Sequence, residues 1–128
     1  MSSGVVEVLY FVPDRRKAAI WYSQVLEAEI SHLDDPEHFY IRIGEQEIWL
    51  HQADEKGPSG VAGQVAYWGT DDIDVSVAKA EELGGSLYRG PLKRLDGRFM
   101  CQVKDPFGNV IGLIGRQQQR THQKGDDV

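Results

Sequence analysis

Two aspartates, Asp14 and Asp72, stand 58 residues apart, and each separates a run of strand character from a segment of helical periodicity. Around each of them the chain reads in the same order: strand, helix, further strands. Such a unit covers one face of its sheet with its helix and leaves the other face bare. The bare face must bury itself against something or form a cleft, and two curved sheets side by side would form that cleft. This doubling constrains the fold more than any single motif. It is a repeat of architecture more than of letters, since laying Asp14 over Asp72 puts Glu7 on Val65 and Leu9 on Tyr67.

In the first unit, residues 5–12 are β-branched and aromatic and read as a strand that Pro13-Asp14 ends. Asp14 is placed to cap a helix, although Arg15, Arg16 and Lys17 suit the positive end of a helix poorly. Ala18, Trp21, Tyr22, Val25 and Leu26 form one helical stripe. Residues 39–43 and 47–51 read as a hairpin about Gly44-Glu45. Residues 53–63 are rich in turn formers and read as a linker. The order then restarts with a strand from Val65 to Trp68. Asp71-Asp72-Ile73-Asp74 opens a helix that carries Ile73, Val77, Ala80 and Leu83 inward and stops at Gly84-Gly85. Strands follow at 86–88, 98–103 and 110–114. The expected organisation is one domain over 1–115: a first module at about 5–53, a linker at 54–63 and a second module at about 64–115. The polar stretch 116–128 has no periodicity and is expected to be disordered or loosely docked.

Composition narrows the function. The net charge of -6, from 20 acids against 14 bases, argues against a nucleic-acid partner, which would want a basic stripe. It is compatible with a cationic ligand. No apolar run approaches a membrane-spanning length of about 18 residues, and the first residues lack the basic and apolar regions of a signal peptide. A cytoplasmic protein with no membrane partner is expected. The single Cys101 excludes an internal disulfide and a multi-cysteine metal site, and its neighbours Met100 and Phe99 suggest a buried structural thiol.

Several stretches taken in order resemble the vicinal oxygen chelate superfamily, also called the glyoxalase / bleomycin resistance protein / dioxygenase superfamily. They are Val12-Pro-Asp14 with Trp21-Tyr22-Ser-Gln-Val25-Leu26, the run from Ala66 to Asp74, Ala80 to Gly85, and Lys104-Asp-Pro-Phe-Gly-Asn-Val-Ile-Gly112. The resemblance implies an α+β fold of two βαβββ modules, a homodimer, and a cleft lined by both sheets. Metal-dependent members carry His, Glu or Gln at four sheet positions. Those positions fall here on Glu7, Trp49, Val65 and Gly112. Of these only Glu7 can coordinate, and a divalent ion wants several oxygen or nitrogen donors. The resemblance therefore implies a member without the usual metal ligands, with no metal or other cofactor. Gly112 sits in an apolar strand where a side chain would help packing. A strand glycine often marks a close approach, and the absent side chain is expected to leave room for a bulkier ligand.

Period two puts Glu7 on one face with Leu9 and Phe11. A carboxylate there sees water, has a partner, or has a raised pKa suited to acid–base work. His51 alternates with Trp49 and Glu47. Phe11, Trp49, Tyr67 and Met100 would give a cleft with aromatic walls, joined by Val65 and Gly112. Arg98 could clamp a carboxylate or carbonyl. Plainer readings stay open for each: a wet rim glutamate, a strand-end histidine in solvent, core packing, a rim salt bridge. Tyr10, Trp21, Tyr22 and Trp68 belong to the helix-side core. His32, His38 and His122 are given no site role. The leading expectation is a metal-free small-molecule binding protein like the bleomycin-resistance branch, with Glu7 or His51 orienting the ligand. One alternative is a glyoxalase-like lyase, isomerase or dioxygenase acting on a carbonyl or enolate through Glu7 and His51, as acid and base or as a reduced metal site. Another is a non-catalytic accessory domain.

Overall fold

Alternation decides the first strand. In β1 (Glu7–Val12) the residues Val8, Tyr10 and Val12 turn toward a helix, with Val12 fully buried, while Glu7, Leu9 and Phe11 turn away. The computed structural model describes residues 4–32 and 37–117. Asp14 caps α1 (Arg15–Leu26): its carboxylate accepts from the Lys17 N–H at 3.1 Å. Ala18, Ala19, Trp21, Tyr22 and Val25 form the buried stripe, and Glu27 ends the helix in the left-handed region at φ 54°. The strands β2 (Ile30–His32), β3 (Phe39–Ile43) and β4 (Gln46–Gln52) complete the module. The second module repeats the order with β5 (Tyr67–Thr70), α2 (Ile73–Glu82), β6 (Ser86–Lys93), β7 (Phe99–Lys104) and β8 (Val110–Gly115). Asp72 caps α2 by accepting from the N–H groups of Asp74 and Val75.

The sheets are ordered β1-β4-β3-β2 and β5-β8-β7-β6. In each, the first strand pairs parallel with the last, and the other pairings are antiparallel. The architecture is the expected α+β pair of βαβββ modules. Besides β2, which the sequence reading did not place, three details differ from it. β5 begins at Tyr67, so Val65 precedes the strand. β6 runs on to Lys93 with irregular register between Leu87 and Leu92. In α2, Ser76 is buried while Val77 and Leu83 are only partly so. Ser76 tolerates burial because its hydroxyl meets that of Thr70 at 2.6 Å.

One apolar core joins both modules on the helix side. Tyr10 stacks on Tyr22 with centroids 5.2 Å apart, and its hydroxyl accepts from the Trp68 indole N–H at 3.3 Å. Tyr22 donates to the Asp105 carboxylate across the module boundary at 2.5 Å. Tyr10, Trp21, Tyr22 and Trp68 thus take the places expected of them. Cys101 is buried on the same side, and burial, with a smaller contribution from Asp74, pushes its thiol up to about 11. It stays a neutral thiol near pH 7 and has no nucleophilic character there.

The segment between the modules is fastened down. The Asp54 carboxylate accepts from the N–H groups of Lys56 and Gly57. Gly57 is buried beneath Phe11, so close that a Cβ would lie 2.4 Å from the ring. Asn109 donates to the Phe11 carbonyl at 2.9 Å and accepts from the Gly60 N–H at 2.7 Å. One buried side chain therefore ties β1, the connecting segment and the turn before β8. Among the described residues no helix is long and apolar enough to cross a membrane. Residues 33–36 of the acidic turn, the stretch from 118 onward and His122 lie outside the described residues.

Candidate functional site

The face of the first sheet turned away from α1 is organised in three rungs. Register sets Glu7 opposite Glu47, Leu9 opposite Trp49 and Phe11 opposite His51. On the far side of β4, Arg42 faces Glu47 and Tyr40 faces Trp49. Glu47 is fully engaged: it pairs with Arg42 and accepts from the Trp49 indole N–H at 2.8 Å. Tyr40 and Trp49 stack with centroids 4.6 Å apart at 15°. Phe11 meets the His51 ring edge-on at 5.5 Å, and His51 Nδ1 lies 3.0 Å from the Gln52 carbonyl.

Beside these rungs, between β1 and residues 58–66, lies a cavity of about 500 Å³. Its lining includes Glu7, Leu9, Phe11, Val61, Val65 and Val110. Glu7 is the one acidic or basic side chain in that lining. The wall is more aliphatic than the sequence suggested, because the Tyr40–Trp49 stack lies further along the face rather than in the cavity.

The second sheet contributes differently. Tyr67, Gly112 and Gln102 share a rung, and the Tyr67 hydroxyl accepts from the Gln102 amide at 2.8 Å. The Tyr67 ring lies directly over Gly112, so that a Cβ there would come within 2.4 Å of it. The room expected over Gly112 for a ligand is filled by the protein's own tyrosine. Met100 sits opposite Ile114, half-buried, outside the lining of the cavity. Arg98 is also displaced from the expected cluster. The tight Asp96-Gly97 turn folds its guanidinium back onto Asp96 at 2.9 Å, which with the Arg98 N–H holds the Asp96 carboxyl near 2. Arg98 borders a separate cavity of about 540 Å³ near the end of α1 and the start of α2. Of the nine residues singled out, Glu7, Phe11 and Val65 converge on one cavity, and Trp49 and His51 stand on the adjoining sheet face.

Glu7 and His51 lie four residues apart in register, about 13 Å along the strands at the usual rise. A single ion holds its ligands within about 4 Å of one another, and one reacting bond needs its acid and base comparably close. A shared metal or a concerted acid–base pair does not fit that spacing. The positions matching the family's metal ligands hold one oxygen donor, Glu7. Trp49 and Val65 offer none, and Gly112 lies under a ring. Among the described residues no three His, Cys, Asp or Glu side chains gather as a ligand set. Among the described residues, those at the matching positions do not fit a divalent ion.

This doubled fold, with its cavity beside the first strand, belongs to a known class. The chain is a member of the Glyoxalase/Bleomycin resistance protein/Dioxygenase superfamily, whose sequence profile it matches over residues 4–113. Among solved structures it is similar to the antibiotic binding protein TnmS3 from Streptomyces sp. CB03234, at 22% identity and a TM-score of 0.69, over 91% of this chain and 98% of that one. It is similar also to a glyoxalase/bleomycin resistance protein/dioxygenase family enzyme from Burkholderia phytofirmans PsJN, at 18% identity and a TM-score of 0.71, over 86% and 96% of the two chains. A glyoxalase/bleomycin resistance protein from Albidiferax ferrireducens T118 gives 17% and 0.70, over 87% and 97%. At these identities the likeness is one of fold. No curated protein matches the sequence.

Proposed function

We propose that this chain binds a small organic molecule without a metal ion, in the cavity between β1 and residues 58–66. The observation that carries the reading is the cavity itself. Its volume of about 500 Å³ suits a small ligand. Its walls are mostly apolar, and of the four positions matching the family's metal ligands two, Glu7 and Val65, line it, with Glu7 the one donor of that pair. Binding there would work by sequestration: apolar burial supplies the affinity, and Glu7 orients the guest. The antibiotic binding described for TnmS3 supports this class of activity. A thermal-shift screen of small organic molecules tests it. A true ligand at a hundredfold excess over its Kd stabilises by about 2.7 kcal/mol, a shift of a few degrees for a chain of this size. Val65→Glu, which puts a second charge in the lining, should abolish the shift for a neutral hit. A broad library with no hit, or stoichiometric uptake of Zn, Ni, Mn or Fe, would contradict the reading.

The same reading takes the chain as a homodimer. The family resemblance favours it, and so do the exposed Leu87, Tyr88 and Leu92 on β6, the outer edge of the second sheet. Light scattering should give twice the 14.4 kDa of one chain; a single-chain mass at all concentrations would refute it.

A further inference from the structure

We infer that the guest carries one cationic group, an ammonium or amidinium, on an apolar body, and that the Glu7 carboxylate anchors it. This rests on the binding reading above and specifies the chemical class it would select. The other polar groups of the lining are spent or neutral. Asn109 uses its amide on Phe11 and Gly60, and the Tyr10 hydroxyl accepts from Trp68. Gln64 carries no charge. Glu7 has no ion-pair or hydrogen-bond partner among the described residues.

The rung around it explains why. Glu7 stands directly opposite Glu47, and like charges so placed repel. Arg42 and the Trp49 indole answer Glu47 and leave the rung with one uncompensated negative charge. An anionic guest would meet that charge in a largely apolar wall. A neutral guest could give the carboxylate at most a hydrogen bond and would leave its charge uncompensated. An ammonium would complete the rung with a charge-assisted hydrogen bond, while its body lay against Leu9, Phe11, Val61 and Val65. Leu9 is 40% exposed and offers apolar surface for that body to cover.

The test uses the full chain and three probes with one naphthalene body: naphthylmethylamine as the cation, naphthalenemethanol as the neutral form and naphthylacetate as the anion. Calorimetry at low salt should show the amine binding about tenfold tighter than the alcohol, the size expected of one hydrogen bond to a charged group. The acetate should bind more weakly than either. Rising salt should narrow the gap between amine and alcohol, since Glu7 is solvent-exposed. Glu7→Gln should bring the amine down to the alcohol and leave the alcohol unchanged, and Glu7→Asp should keep part of the preference. Glu7 is exposed and has no partner among the described residues, so both variants should keep the native fold, which their unfolding midpoints verify. Equal binding of amine and alcohol, or a preference that survives Glu7→Gln, overturns the anchor and leaves the binding reading intact. If none of the three probes binds, the anchor falls, and the broad ligand screen decides the binding reading separately.

Discussion

Asp105→Ala should cost about 3–5 kcal/mol, enough to bring a domain of this size close to unfolding. Asp105 is 4% exposed, and its carboxylate takes three hydrogen bonds: from the Phe107 and Asn109 N–H groups, each at 2.8 Å, and from the Tyr22 hydroxyl at 2.5 Å. Alanine would strand those donors where water does not replace the acceptor. The loss would not stay local. The turn that Asp105 holds also positions Asn109, and Asn109 fastens Phe11 and Gly60 at the cavity wall. Urea unfolding should therefore report a lower midpoint, and ligand affinity should fall with it. Asp105→Asn keeps an acceptor oxygen and should cost less.

The pH dependence separates those variants further. Burial raises the Asp105 carboxyl above 3.8, outweighing the bonds from Tyr22, Asn109 and Phe107 that lower it. The folded chain then holds this proton more tightly than the unfolded chain. The associated stability is fully present below 3.8 and is lost as pH rises through the folded value. Wild type should gain on Asp105→Asn as pH falls from neutral toward that range. A gap that stays constant across the range would mean that burial does not perturb this group.

Gly112→Glu should cost about 3 kcal/mol or more, through overpacking and a carboxylate forced against a ring. This substitution would restore the acid that metal-dependent relatives carry at the matching position. Here the first added carbon would already meet the Tyr67 ring at 2.4 Å, near the ring's root rather than at a freely moving end. Turning the ring aside would also break its hydroxyl's bond from Gln102. Tyr67→Ala should relieve much of the penalty. The double variant should therefore be more stable than the sum of the single effects predicts, with a coupling near 1 kcal/mol or above. Strict additivity would show that Tyr67 is not what makes position 112 a glycine.

The doubled fold was legible because each helix begins at a capping aspartate shortly after a run of β-branched and aromatic residues. Asp14 and Asp72 do in the structure what their positions suggested. The Tyr40–Trp49 stack was also within reach: a two-residue loop at Gly44-Glu45 fixes the register that sets Tyr40 opposite Trp49. β2 was not, because three residues are too few for alternation to show. Gly112 signalled a close approach but not its agent. A ring arriving from the neighbouring strand is a tertiary fact, set by the parallel pairing of Tyr67 with Gly112. Arg98 misled because the strand pattern begins at Phe99, and a turn one residue earlier redirects the side chain to Asp96. The role of Asn109 was hidden for a similar reason. In the sequence it is one more turn former, and its two partners lie 98 and 49 residues away.

The proposed binding hinges on one place in the fold, the space beside β1. Backbone amide chemical shifts of the labelled chain, followed while naphthalenemethanol or a hit from the ligand screen is titrated in, locate the guest directly. Saturable shifts should gather at residues 7–11 and 58–66, with weaker ones at Trp49 and none around Arg98. Shifts that gather instead around Arg98, Asp72 and Glu27, or that fail to saturate anywhere, would contradict it.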